Sequence, residues 1–150
     1  MAYDSTSDTV DHIMRVRSLL SEVRDRLYLR GLDHDKSKLE PPEKEAFDAV
    51  TPRLKELTYG SEEYKAELKT LGVALAHHYE ANTHHPEHYP NGITEMSLHD
   101  IEEMLCDWKA ATERMKDGDI RKSVEHNITR FGIDDQLAAI LRATVEENGW

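Results

Sequence analysis

The feature that most limits what this chain can fold into is its hydrophobic period. Apolar residues return every three or four positions from Val10 towards the C-terminus, and no stretch alternates strictly for long enough to make a sheet. Val10, Ile13, Val16, Leu19, Leu20, Val23 and Leu27 form one stripe, with Ser5, Thr6, Ser7 and Asp8 as possible caps before it and Gly31 as its expected stop. Pro41-Pro42 suits the first turn of a second helix running through Phe47, Val50 and Leu54. Tyr59-Gly60-Ser61 breaks the chain, and Ser61 can cap a long helix carrying Tyr64, Leu68, Leu71, Leu75 and His78 on one face. Residues 83–96 contain two prolines and an Asn91-Gly92 turn signal and read as a loop. Ser97 then opens a helix with Leu98, Ile101, Met104, Leu105, Trp108 and Ala111 as its buried face. Asp117-Gly118-Asp119 separates it from two shorter helices, over 119–130 and 134–147, the first stopped by Gly132. The expected fold is all-α: a compact single-domain bundle of about five or six helices, with a flexible N-terminus over 1–8 and one helical domain over 9–150.

Charge narrows the partners. Lys and Arg number 19 against 30 Asp and Glu, a formal balance of −11, which opposes nonspecific attraction to nucleic acid or to an anionic membrane. A polyanionic substrate would need local positive charge, which a bound metal can supply. Cys106 is the only cysteine, so no intramolecular disulfide forms, and it is expected as a small buried apolar residue. The N-terminus has no basic start followed by an apolar run, and no segment approaches the roughly 18 uncharged apolar residues of a membrane span, so the expected location is the cytoplasm.

The chemistry is concentrated in a few places. Five of the nine histidines lie between positions 77 and 88, in "HHYEANTHHPEH", at a helix end and in the loop after it. Imidazole is the commonest biological metal ligand, and together with carboxylate it suits iron, manganese or zinc better than a thiolate-seeking metal. His34-Asp35 follows the first helix and can point a nitrogen and a carboxylate oxygen at one cation. His12 lies on the Val16, Leu19 and Val23 side of the first helix, where a histidine would face a core. Asp107, between Met104 and Ala111 and beside Trp108, borders an apolar face, where a carboxylate is costly unless paired or metal-bound; the alternative is that Asp100, Glu103 and Asp107 make an ordinary solvated face. Adjacent helical residues differ by about 100°, so only His78 of the first pair shares the Leu71 and Leu75 face, and His77 is expected outward, where it could orient a ligand or bind substrate.

The order of these residues, a His on the first helix, a His-Asp pair, later histidines and a final Asp, resembles the HD-domain superfamily of metal-dependent phosphohydrolases over positions 12 to 107. Within it, "HDKSKL" is similar to the "HDxGK" of the cyclic-dinucleotide phosphodiesterase branch, with Ser37 in place of the glycine, and "HHYEANTHHPEHYPNGI" is similar to that branch's "HHExxDGxGYPxGL". The combination "HDxSK…HHYxxNxHHPEHY…MxLxDxxEMxxDWxAA" also resembles a family of uncharacterised proteins found in phages and bacteria.

The resemblance implies one or two divalent ions (manganese, iron, zinc, cobalt or magnesium). They would be held by His12, His34, Asp35, a subset of His78, His84, His85 and His88, and Asp107. Such ions would lower the pKa of a bound water and neutralise charge developing on a phosphoryl group. The substrate implied is a nucleotide or another small phosphate ester, with Asp35 and Lys38 as catalytic residues and Lys38, His77 and Asn82 towards the substrate. Lys38 lies one helical turn beyond His34, where its ammonium can reach past the metals; the alternative is a surface lysine paired with Glu40 or Glu43. For a phage-encoded chain the location would be the host cytoplasm. Two other functions read alike in ligands: a di-iron oxygenase on an HD-like scaffold, and a non-enzymatic metal or nucleotide binder such as a phage protein that sequesters a host signal molecule.

Overall fold

The computed structural model describes residues 3–58, 60–115 and 117–150, and within them all regular structure is helical. Tyr59, part of the expected break before Ser61, lies outside the described residues. Seven α-helices occur in the described residues: α1 (Thr6–Asp33), α2 (Glu43–Leu54), α3 (Glu62–Lys69), α4 (Val73–Ala81), α5 (Leu98–Glu113), α6 (Ile120–Phe131) and α7 (Asp135–Glu147). Short 3-10 turns at Lys36–Leu39, Pro86–His88 and Gly92–Glu95 join them. No described helix is long and apolar enough to cross a membrane.

The chain divides into two units, the first ending at His34 and the second running from Asp35 to Trp150. The first unit is essentially α1, which contains no buried residue, so its stripe of Val16, Leu19 and Val23 stays 40–43% exposed. Helix α1 already begins at Thr6, inside the span expected to be a flexible N-terminus. It also runs through Gly31 to Asp33, because a glycine stops a helix where it turns left-handed, and here the left-handed residue is Asp35, with φ 57°.

The second unit contains the apolar core. Ile101, Met104, Leu105 and Trp108 of α5 pack with Ile120 and Val124 of α6, Ile133, and Ala138, Leu141 and Val145 of α7, while Phe131 stacks parallel to Trp108. Local chemistry sets these helix ends. Ser97 and Asp100 form a reciprocal capping box at the start of α5, Asp119 and Asp134 accept backbone N–H groups at the starts of α6 and α7, and Gly132 closes α6 at φ 60°. Leu98, expected on the buried face of α5, is 77% exposed, since as the first helical residue it precedes the packed turns.

Helices α2, α3 and α4 build the other end. Pro41 and Pro42 precede α2 rather than filling its first turn, and Glu43 begins it. Ser61 caps α3 by accepting the Tyr64 N–H. The long helix expected from Ser61 to His78 is two helices, because Gly72 at φ 48° leaves helical geometry between Lys69 and Val73.

Candidate metal centre

Four side chains of the second unit converge. Asp35, His78, His84 and His85 each offer one ligand atom, and all four atoms lie within 4.8 Å of one another. Three local structures bring them there. Asp35 adopts left-handed backbone that an aspartate tolerates better than most residues, turning the chain from the end of α1 into the Lys36–Leu39 turn. Helix α4 buries one face, carrying Ala74 and His78. The loop after it returns His84 and His85 because Asp100 of α5 accepts from the Thr83 hydroxyl at 2.7 Å and the Tyr89 hydroxyl at 3.0 Å. Burial would push the Asp100 carboxyl up, but these bonds and those from Ser97 outweigh it and hold the group well below the usual carboxylate range.

The spacings suit ligands around one cation. His78 Nε2 is 2.8 Å from His85 Nε2 and 3.5 Å from Asp35 Oδ1, and His84 Nε2 is 3.6 Å from the same oxygen. Tetrahedral zinc with bonds of about 2.05 Å places its ligand atoms roughly 3.3 Å apart. Three imidazoles and one carboxylate are a donor set for zinc, iron or manganese. Both central rings are kept neutral, as ligation requires. Burial, followed by the Lys38 charge, pushes His78 down against the pull of Asp35 and Glu43. Burial, followed by His84 and His78, pushes His85 down to about 3, against Asp107 and Asp35. This cluster could hold a metal ion.

Asp107 brings a carboxylate oxygen within 4.8 Å of one from Asp35 and joins the edge of the cluster. His34 is the residue after α1 and the last of the first unit, joined to Asp35 by the chain. The expectation of a core-facing His12 is corrected: it is exposed on α1, which buries nothing, and it forms part of no ligand group among the described residues. His88 also falls outside those groups. Its Nδ1 donates to the Tyr79 carbonyl at 3.0 Å, so it ties the loop back to α4.

His77 is half-exposed and hydrogen-bonds Glu43 Oε1 through Nδ1 at 2.7 Å, in keeping with its expected outward placement. Asn82, expected towards substrate, is buried, and its amide donates to Ser37 Oγ and to the His78 carbonyl, both at 2.8 Å, so its role is in holding the site together. Lys38 places Nζ 2.5 Å from Asp35 Oδ2 and 5.1 Å from the centre of the Phe47 ring, a different partner from the Glu40 or Glu43 of the surface alternative. Cys106 is exposed rather than buried, and partial burial with Glu102, Glu103 and Asp107 nearby raises its thiol, which disfavours the thiolate.

Two residues of the site escaped the sequence reading. Glu43 is fully buried and sits behind His78, with Oε2 2.9 Å from its Nδ1, and Glu103 places Oε1 3.1 Å from His84 Nδ1. The spacing of Asp100, Glu103 and Asp107 along α5 carried the signal for Glu103, because residues three and four apart share a helix face.

The chain belongs to a family of unknown function, DUF5662, whose model matches residues 1–147. No curated protein and no solved structure matches it.

Proposed function

We propose that the protein is a metal-dependent phosphohydrolase of the HD type, acting on a nucleotide or a related small phosphate ester. The observation that carries this reading is the convergence of Asp35, His78, His84 and His85 within 4.8 Å, in a chain whose net charge of −11 would otherwise repel a phosphate. A divalent ion bound there supplies Lewis acidity and a water of lowered pKa. The residues around it have separate tasks. Neutral His78 and His85 present lone pairs, and Asp35 contributes negative charge towards the ion through Oδ1. Lys38 stands on the Oδ2 side of Asp35, placed to meet a phosphate oxygen as a point charge. His77, half-exposed one residue before His78, lies where it can contact the substrate.

The test combines elemental analysis of the purified protein with a nucleotide panel assayed with manganese, iron, cobalt and magnesium in turn. Release of phosphate or a nucleoside monophosphate over many turnovers, abolished by chelator, is the expected result. Activity that survives chelation would overturn the mechanism. Stoichiometric binding without turnover would favour the sequestering binder, and redox-dependent iron spectra the oxygenase.

A further inference from the structure

Behind the converging ligands lies a second layer of carboxylates that the metal-binding reading does not use. Each of the two most buried histidines, His78 and His84, is 2% exposed and has a glutamate at the nitrogen facing away from Asp35. Glu43 meets His78 Nδ1 at 2.9 Å, and Glu103 meets His84 Nδ1 at 3.1 Å. The opposite nitrogens, both Nε2, are those that approach Asp35 Oδ1.

The hydrogen-bond partners decide where the proton on His78 resides. The Asn82 amide nitrogen also lies 3.1 Å from His78 Nδ1, which would suit a ring accepting at that atom. An amide has only two hydrogens, and Asn82 has shorter acceptors for both at Ser37 Oγ and the His78 carbonyl. Ser37 Oγ lies 3.5 Å from Nδ1, but its single hydrogen goes to Glu43 Oε2 at 3.0 Å, so the neighbour that decides is the Glu43 carboxylate oxygen, which only accepts. Nδ1 therefore carries the hydrogen and donates it to Glu43, leaving the lone pair on Nε2. At His84 a carboxylate oxygen likewise stands against Nδ1, Glu103 Oε1 at 3.1 Å, and a carboxylate only accepts.

Glu43 gathers three partners on its two oxygens. Its oxygens receive His77 Nδ1 at 2.7 Å, His78 Nδ1, and the Ser37 hydroxyl at 3.0 Å, and the side chain is 0% exposed. A glutamine there could keep an oxygen towards His78 and Ser37 only by turning its amide N–H groups towards His77 Nδ1, and it would remove the negative charge behind His78.

We propose that Glu43 and Glu103 are positioning residues of the metal centre, each fixing the tautomer and ring orientation of one histidine so that His78 and His84 both bind through Nε2. The assignment rests on the metal-binding reading and extends it to two carboxylates outside the Asp35, His78, His84 and His85 group. Carboxylates in this role raise the basicity of the imidazole as well as aiming it, and losing one costs about 10–100-fold in metal affinity.

Zinc titration of the full chain tests it. Glu43→Gln and Glu103→Gln should each weaken zinc binding by about 10–100-fold, and Glu43→Asp, which keeps the charge, should recover part of the loss. Glutamine variants that melt earlier but bind zinc as tightly as the wild type would overturn the proposal, since that is what a purely structural role predicts. A second measurement does not depend on the variants folding: long-range proton–nitrogen spectra of the zinc-loaded wild type should show His78 and His84 protonated at Nδ1 and metallated at Nε2. Either ring bound through Nδ1 would overturn the assignment. Wild-type protein that takes up neither zinc nor cobalt would remove the metal-binding reading and the positioning role together. Uptake with unaffected glutamine variants would remove the positioning role alone.

Discussion

Helix α5 belongs to two regions built on opposite physics. Ile101, Met104, Leu105 and Trp108 enter an apolar core whose members gain free energy simply by leaving water. One turn around the same helix, Asp100, Glu103 and Asp107 face the histidine loop, where burying charge is costly unless each group finds a partner. The apolar side can therefore stabilise the second unit by itself. The polar side holds a geometry at some expense in stability, with hydrogen bonds and ion pairs offsetting part of the cost and a bound cation able to offset more. Stability and ligand binding should respond to different mutations on the two sides of one helix.

A crossed pair of variants tests that division most severely. Leu141, 1% exposed in the core, should cost about 2–5 kcal/mol of stability when cut to alanine and leave the zinc affinity of the folded protein unchanged. Asp35→Ala should do the reverse. Zinc affinity should drop by at least about 100-fold, roughly 2.7 kcal/mol, while urea unfolding in chelator shifts by no more than about 2 kcal/mol, from the partly exposed Lys38 pair and the strain of alanine at φ 57°. Large stability losses in both variants would mean that the cluster is itself a structural core.

Acid should separate the regions next. In the folded chain His85 titrates at about 3 and His78 also lies below its ordinary value of 6.5, so between those limits the unfolded chain binds more protons than the folded one. Stability then rises with pH in that window and is lost as pH falls below about 6.5, by up to roughly 1.4 kcal/mol per pH unit for each group. Asp100, depressed as an acid, adds a loss only below its ordinary value of 3.8. Urea midpoints of chelated protein measured from about pH 7 down to about pH 4 should fall steadily, and a His85→Gln variant should show a shallower slope. A flat wild-type profile would mean that the histidines are not held neutral by burial.

How much of this could be seen in the sequence follows from how local each cause is. Ser97 and Gly132 announce the helix ends they form, because caps and stops depend on neighbours a few residues away. The clustering of His78, His84 and His85 and the His-Asp pair that contains Asp35 were visible too, since residue types able to hold a metal stand out from composition. Gly72 was hidden because Leu68, Leu71 and Leu75 keep helical phase across the break it makes. Gly31 misled for the opposite reason: a glycine permits a stop without requiring one. Glu43 looked like a surface residue beside a lysine. Its burial depends on His77 and His78, more than thirty positions away, and no local pattern reports that.

The smallest effect expected is at His77, and it sharpens the comparison within the polar region itself. His77 and His78 are adjacent and both bond Glu43, yet one side chain is 43% exposed and the other 2%. In His77→Ala the Oε1 atom of Glu43 loses its imidazole, and water can reach the space the exposed ring vacates. Oε2 keeps both His78 and the Ser37 hydroxyl, so the orientation of the carboxylate behind His78 is maintained. Zinc affinity should therefore change by less than about threefold, under roughly 0.7 kcal/mol, against the 100-fold loss expected for Asp35→Ala. If His77→Ala strips metal as thoroughly as Asp35→Ala does, the exposed ring is a ligand and the face assigned to His78 has been misread. If metal content holds while turnover falls, His77 acts on the substrate from its half-exposed position on α4.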